Sequence, residues 1–142
     1  MSLRHKHPAD ESLASIELFR NASRAELDRA GRLLTPVTIA AGDTLIQQGT
    51  VGREYIIVGD GTLGVSRYED TSGTVIGLSS GTVVGEMALL NRQRRSATVV
   101  ALTTATIYVG TRQEFFALLD GVPSAGEQIM RAAAARTRAN AA

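Results

Sequence analysis

Two periodicities divide the chain. Residues 11–33 carry apolar side chains at helical spacing, Leu13 and Ile16 and then Ala25, Leu27 and Ala30. The spacing predicts two short helices, with Leu18 and Phe19 packed at the turn between them. Asn21 or Ser23 is the expected N-cap of the second, and Glu26 stands three residues after Ser23, as a capping box requires. From residue 34 the period changes to two, through "LLTPVTIA", "TLIQQG", "EYIIVGDGTLGVSRYE", "TVIGLSSG", "VVGEM", "SATVVALT" and "ATIYVG". Turn residues separate these pieces at Ala41-Gly42-Asp43, Gly49 to Gly52, Gly59-Asp60-Gly61, Asp70 to Gly73, and Gly81. Many short strands with glycine-bearing turns predict a β-sandwich or barrel. Gly59-Asp60-Gly61 reads as a hairpin turn, because Gly and Asp tolerate positive φ. Helix returns at "TRQEFFALLD", with Thr111 as its cap and Gly121 closing it, and Pro123 opens a last, alanine-rich helix. The order predicts a β-roll flanked by α-helices: a tail over residues 1–10, expected to be mobile, then one domain over 11–142. The roll would occupy about residues 34–110 and the C-terminal helices about 111–139.

Composition narrows the function more than the fold. A chain of 142 residues holds one domain with a real core. Its net charge of +1 supplies no global field for gripping nucleic acid, so attraction for an anion has to come from local placement. There are no cysteines, which removes disulfides, thiolate metal sites and thiol nucleophiles together. No apolar run approaches the ~18 residues a membrane span needs, and no apolar core follows Arg4 to His7 as a signal peptide would have. The expectation is a cytoplasmic protein. His5 and His7 read as solvated tail residues rather than half of a metal site, so no metal is expected.

"VVGEMALLNRQRRSAT", residues 83–98, interrupts the strand series. Gly85 lets the backbone leave the strand, and Glu86 to Leu90 span little more than one helical turn. The first amides of such a turn lack internal partners and, with the helix dipole, favour an anion. The loop that follows crowds in Arg92, Arg94 and Arg95 and brings Arg95 back toward Gly85. Glu86 would repel a plain anion, unless the ligand also offers hydroxyl donors for its carboxylate to accept. The residues therefore describe a small ligand that combines a phosphate with a ribose-type hydroxyl. Without a general base or metal cluster beside them, they describe a binder rather than an enzyme. Arg92 and Arg94 read as facing water, and Phe115, Phe116, Leu118 and Leu119 as buried against the roll.

"GEMALLNRQRRSAT" resembles the phosphate-binding cassette of cyclic-nucleotide-binding domains, as in catabolite activator protein, the regulatory subunit of cyclic-AMP-dependent protein kinase, and cyclic-nucleotide-regulated channels. Residues 85–90 and 95–98 fit that cassette with no gap. "AGDTLIQQGTVGREYIIVGDGTLGV" is similar to the glycine-patterned region upstream of it, and the likeness covers roughly residues 17–120. It implies a mainly β fold: an eight-stranded antiparallel, jelly-roll-like β-roll with N-terminal helices, a short phosphate-binding helix and C-terminal lid helices. It implies that Glu86 accepts the ribose 2′-OH and Arg95 pairs with the cyclic phosphate. Gly85, Met87, Ala88, Ser96 and Ala97 would complete the cradle. Two departures stand out: Arg94 replaces the family's usual proline, and the final helix is short and alanine-rich. Arg131 or Arg136 is then the candidate for reaching the base.

The resulting expectation is a stand-alone sensor for cAMP, with cGMP open because Ser96 sits where a hydroxyl can favour guanine. Ligand would shift the helices of residues 111–139 and change the surface offered to a protein partner. The alternative is a nucleotide-silent member of the fold acting as an interaction module. Direct DNA binding is not expected, because about twenty residues follow Gly121, too few for a helix-turn-helix unit. A metal-dependent barrel enzyme would need clustered histidines. Pairing of two chains through Ile129, Met130 and the alanines after them would bury little area, and a homodimer stays open.

Overall fold

The computed structural model describes residues 13–141, with side chains to Ala135. The expected tail over 1–10, with His5 and His7, lies outside the described residues. Of the expected first helix, Leu13 and Ala14 are helical and a 3₁₀ turn follows over Glu17–Phe19. Its bonds run from Phe19 N to the Ile16 carbonyl and from Arg20 N to that of Glu17. Three residues per turn put Leu13, Ile16 and Phe19 on one face, and all three are buried. Helix α1 (Arg24–Leu33) starts at Ser23, whose Oγ accepts from Glu26 N while the Glu26 carboxylate accepts from Ser23 N. Asn21 therefore plays no part in the cap.

Eight strands form two antiparallel four-stranded sheets. One holds β1 (Thr35–Ile39), β8 (Ala105–Thr111), β3 (Glu54–Asp60) and β6 (Val83–Val84) in that order. The other holds β2 (Thr44–Ile46), β7 (Thr98–Ala101), β4 (Leu63–Ser66) and β5 (Ile76–Leu78). This is the jelly-roll expected. Gly59-Asp60-Gly61 corrects one reading: it is a corner, not a hairpin turn. β3 and β4 lie in different sheets, and only β4 and β5 are consecutive strands that pair. Gly61 does take a positive φ of 88°, but that conformation serves a corner as well as a hairpin. The partner of β3 is decided by residues fifty positions away, where Ile57 pairs with Tyr108.

Edge strand β1 is largely exposed, but β3, β8 and β6 are buried on both faces, which explains why "YIIV" in β3 shows no alternation. Tyr55 and Ile57 enter a core shared with the helices, whereas Ile56 and Val58 enter the roll. Tyr108 and Ile107 of β8 divide in the same way, as do Val83 and Val84 of β6. The second sheet has one covered face, and Val99 and Ala101 of β7 alternate with half-exposed neighbours. Helix α3 (Arg112–Gly121) is capped by Thr111 with Glu114 completing the box, and its Phe115 ring meets Tyr55 edge-on at 4.8 Å. Helix α4 (Pro123–Ala141) follows at once. Arg29 donates to the Gly121 carbonyl at 3.0 Å and Gln128 to that of Leu18 at 3.4 Å, tying both C-terminal helices to the N-terminal segment. No helix among the described residues is long and apolar enough to cross a membrane.

Candidate functional site

After β6 the chain reverses through Gly85, at φ 87°, into helix α2 (Glu86–Asn91), which ends on Arg92 at φ 53°. Gly85 is required twice over. Its conformation suits a residue without Cβ, and a Cβ there would collide with Nη1 of Arg95. Gly52, in the β2–β3 loop, meets the same guanidinium from the other side, since a Cβ on it would lie 2.8 Å from Nε of Arg95. The upstream glycine pattern and the cassette are thus parts of one structure. Two backbone bonds fasten them: Arg95 N to the Thr50 carbonyl at 2.8 Å, and Gly49 N to the Arg95 carbonyl at 2.9 Å.

Arg95 is half-buried and held by its fork. Nη1 donates to the Gly85 carbonyl at 3.1 Å and Nη2 to the Glu54 carbonyl at 2.6 Å. Burial lowers its pKa from the ordinary arginine value, and the negative charges of Glu54 and Glu86 act against that shift. The group stays protonated at any working pH. Glu86 is 1% exposed, the one charged residue buried among those described. A buried carboxylate needs a compensating charge or hydrogen bonds, and Arg95 supplies attraction from across the cassette.

Gly85, Glu86, Met87, Ala88, Arg95, Ser96 and Ala97 all line one cavity of about 310 Å³. Every site residue expected from the sequence is therefore brought to the same hollow. The opposite wall is apolar and comes from the second sheet and its neighbours: Ile46, Val65, Ile76, Leu78 and Val99. Arg67 also lines it, just past the end of β4. Nothing local in "VSRYE" singled this arginine out; the β4–β7 register, Ser66 opposite Thr98, carries it to the cassette's exit. Arg92 and Arg94 are exposed and do not line the cavity, as their reading predicts, and Arg94 Nη1 donates to the Gly49 carbonyl at 3.1 Å.

Among the described residues, none of α3 or α4 lines the cavity. Arg131, expected as a candidate for reaching a base, instead borders a groove with Leu119, Pro123 and Met130 on the far helices. The reason is the anchoring of α4 to the N-terminal 3₁₀ turn, on the helix side of the first sheet. The side chain of Arg136 lies outside the described residues.

A jelly-roll with a Gly-Glu turn, a buried acid and a carbonyl-gripped arginine around one hollow defines a small-ligand-binding roll. Residues 36–121 match the model of the cyclic nucleotide-binding domain, and the chain belongs to that family. Acetyltransferase Pat of Mycolicibacterium smegmatis is 30% identical over 89% of this chain and 38% of its own length. The cAMP-dependent protein kinase regulatory subunit of Mycosarcoma maydis is 34% identical over 65% of this chain and 18% of its own. Among solved structures, a cAMP-binding acyltransferase from Mycobacterium smegmatis superposes with a TM-score of 0.73 at 30% identity, covering 93% of this chain and 41% of that one. The chain thus spans less than half the length of these relatives.

Proposed function

We propose that the protein binds cAMP between the cassette and the second sheet and serves as a regulatory sensor without a catalytic step. One observation carries the reading: Glu86 and Arg95 line a single cavity, the guanidinium pre-positioned by two backbone carbonyls. A ring-closed ribose phosphate presents a hydroxyl and an anion a few bonds apart. Glu86 accepts from the hydroxyl, and the remaining N–H groups of the Arg95 fork donate to the phosphate. The backbone of Gly85, Met87 and Ala88, with Ser96 and Ala97, surrounds the same end. The apolar wall of Val65, Ile76, Leu78 and Val99 receives the purine. A cavity of this size, mostly apolar with a few convergent polar groups, suits a small ligand. The cAMP-binding relative of similar fold supports the choice of ligand.

The sensor step is a shift of the helices over residues 111–139, which changes the surface offered to a protein partner in the cytoplasm. It requires ligand to bind the two arrangements with different affinity. The link in the structure is Arg112, the first residue of α3, whose Nε donates to the Leu89 carbonyl of α2 at 3.3 Å. Movement of α2 on ligand binding is transmitted to α3 through that bond.

Arg67 favours a second reading, cGMP, because a guanidinium donates well to the guanine O6 and N7 acceptors. Calorimetry with cAMP tests the main proposal. Arg95→Ala is expected to lose about 2–4 kcal/mol of binding, the scale for truncating one partner of a desolvated charged pair. Equal affinities of the two proteins refute it. A thermal-shift series with cAMP, cGMP and AMP ranks the ligands by mass action. No shift with any nucleotide at millimolar concentration leaves the silent interaction module instead.

A further inference from the structure

Behind the cassette, on the side away from the nucleotide cavity, lies a second hollow of about 350 Å³. Val51, Gly52 and Ala88 form its apolar floor, and Arg92, Arg94 and Arg112 stand around it. We propose that this outer hollow docks an acidic segment of a protein partner, one that carries an apolar side chain beside its carboxylates.

Charge carries the argument first. Among the described residues, none of these three arginines has a carboxylate within salt-bridge distance; the ion pairs present are Arg20–Glu17 and Arg24–Asp28. The two acids that act on the cassette, Glu54 and Glu86, act on Arg95. Three cations around one concavity repel each other, and an acidic partner removes that repulsion. The backbone under Arg92 supplies a second argument. It closes helix α2 in the left-handed region, at φ 53°, where glycine or asparagine is the favoured residue. An arginine is more strained there than glycine would be, and what it adds is an exposed positive charge at the helix C-terminus.

The shape favours a peptide over a free anion. Val51 is 59% exposed at the floor, and Phe116, 39% exposed, lies under Arg112 with its ring centre 5.0 Å from the guanidinium carbon. Inorganic phosphate has no use for apolar surface, whereas a leucine or phenylalanine next to a glutamate does. The loop is also held in place before any partner arrives, by Arg94 Nη1 on the Gly49 carbonyl and by the pairing of Val51 with Arg94. Gly52 and Ala88, which line this hollow, lie against Arg95, because a Cβ on Gly52 would touch both Ala88 and the Arg95 guanidinium. Occupancy of the two sides is therefore coupled, and this coupling rests on the cyclic-nucleotide reading of the inner side.

The test uses a fluorescein-labelled Glu/Leu-repeat peptide in anisotropy titrations without nucleotide, with a Gln/Leu counterpart as control. The Glu/Leu peptide is expected to bind and the Gln/Leu peptide not, with affinity falling as salt rises. Arg92→Gly keeps the backbone conformation and removes the charge; with Arg94→Ala it should weaken binding about tenfold, the sum of two exposed ion pairs. A single cooperative melting transition in the double variant confirms its folding. Equal binding of both peptides, equal binding by the double variant, or pyrophosphate binding in place of the peptide overturns the proposal. A cAMP titration on the same proteins is read separately. Peptide docking without nucleotide binding sinks the cyclic-nucleotide reading and leaves the outer dock standing. A peptide affinity that cAMP leaves unchanged overturns the coupling.

Discussion

Arg94 and Arg95 are neighbours of equal charge on the two sides of one loop, and the structure treats them as different kinds of residue. On the inner side, Arg95 is half-desolvated, gripped by two carbonyls and set within the influence of two acids. On the outer side, Arg94 is exposed and holds one carbonyl, and Arg92 is exposed beside it. Charge alone does not make a ligand-grade arginine. Burial removes competing water, and the carbonyls spend part of the donor fork to fix the direction of the rest. The outer arginines keep their hydration, so each contributes little until a partner covers it.

The comparison breaks most completely at Gly85. Gly85→Ala forces a Cβ into a left-handed residue and into the Arg95 guanidinium at once. We expect about 1–2 kcal/mol lost from folding. Nucleotide affinity should fall by as much as in Arg95→Ala, read by denaturation and calorimetry. An alanine variant that binds normally would show that the grip on Arg95 is dispensable. Glu86→Ala comes next, with about 1–2 kcal/mol lost from binding, as for one charged hydrogen bond. The loss should be selective: a ligand lacking the 2′-hydroxyl should bind wild type and variant alike, and a variant penalty on that ligand would contradict the hydroxyl contact. The smallest effect belongs to the outer side. Arg92→Gly should leave nucleotide affinity unchanged and raise stability by up to about 1 kcal/mol, by relieving the left-handed backbone. Destabilisation in chemical denaturation would mean that the Arg92 side chain holds the loop together.

The strands and caps were legible because they depend on neighbours in sequence. The Ser23–Glu26 capping box and the Thr111 cap form as read, and Glu114 makes the second cap a box as well. Glycine-bearing turns bounded the strands, and alternation marked those with one covered face, such as β7. The hairpin at Gly59-Asp60-Gly61 was misread for the same reason that it looked convincing: a positive φ at Gly61 bends the chain without saying which sheet it enters. Arg67 was missed because it reaches the cavity only through strand pairing across thirty residues. The role offered to Arg131 failed because the direction of α4 is set by contacts with residues over a hundred positions earlier.

By itself the sequence determined the kinds of element, their order, and the group of residues from Gly85 to Ala97 that face a common hollow. Local dihedral preference, capping and spacing act over a few residues, and those can be read directly. Tertiary structure alone decided that Arg67 joins that hollow, that the described side chains of the C-terminal helices stay away from it, and that Arg92, Arg94 and Arg112 ring another. Such outcomes depend on which distant surfaces exclude water together, and burial of that kind leaves no mark at short range.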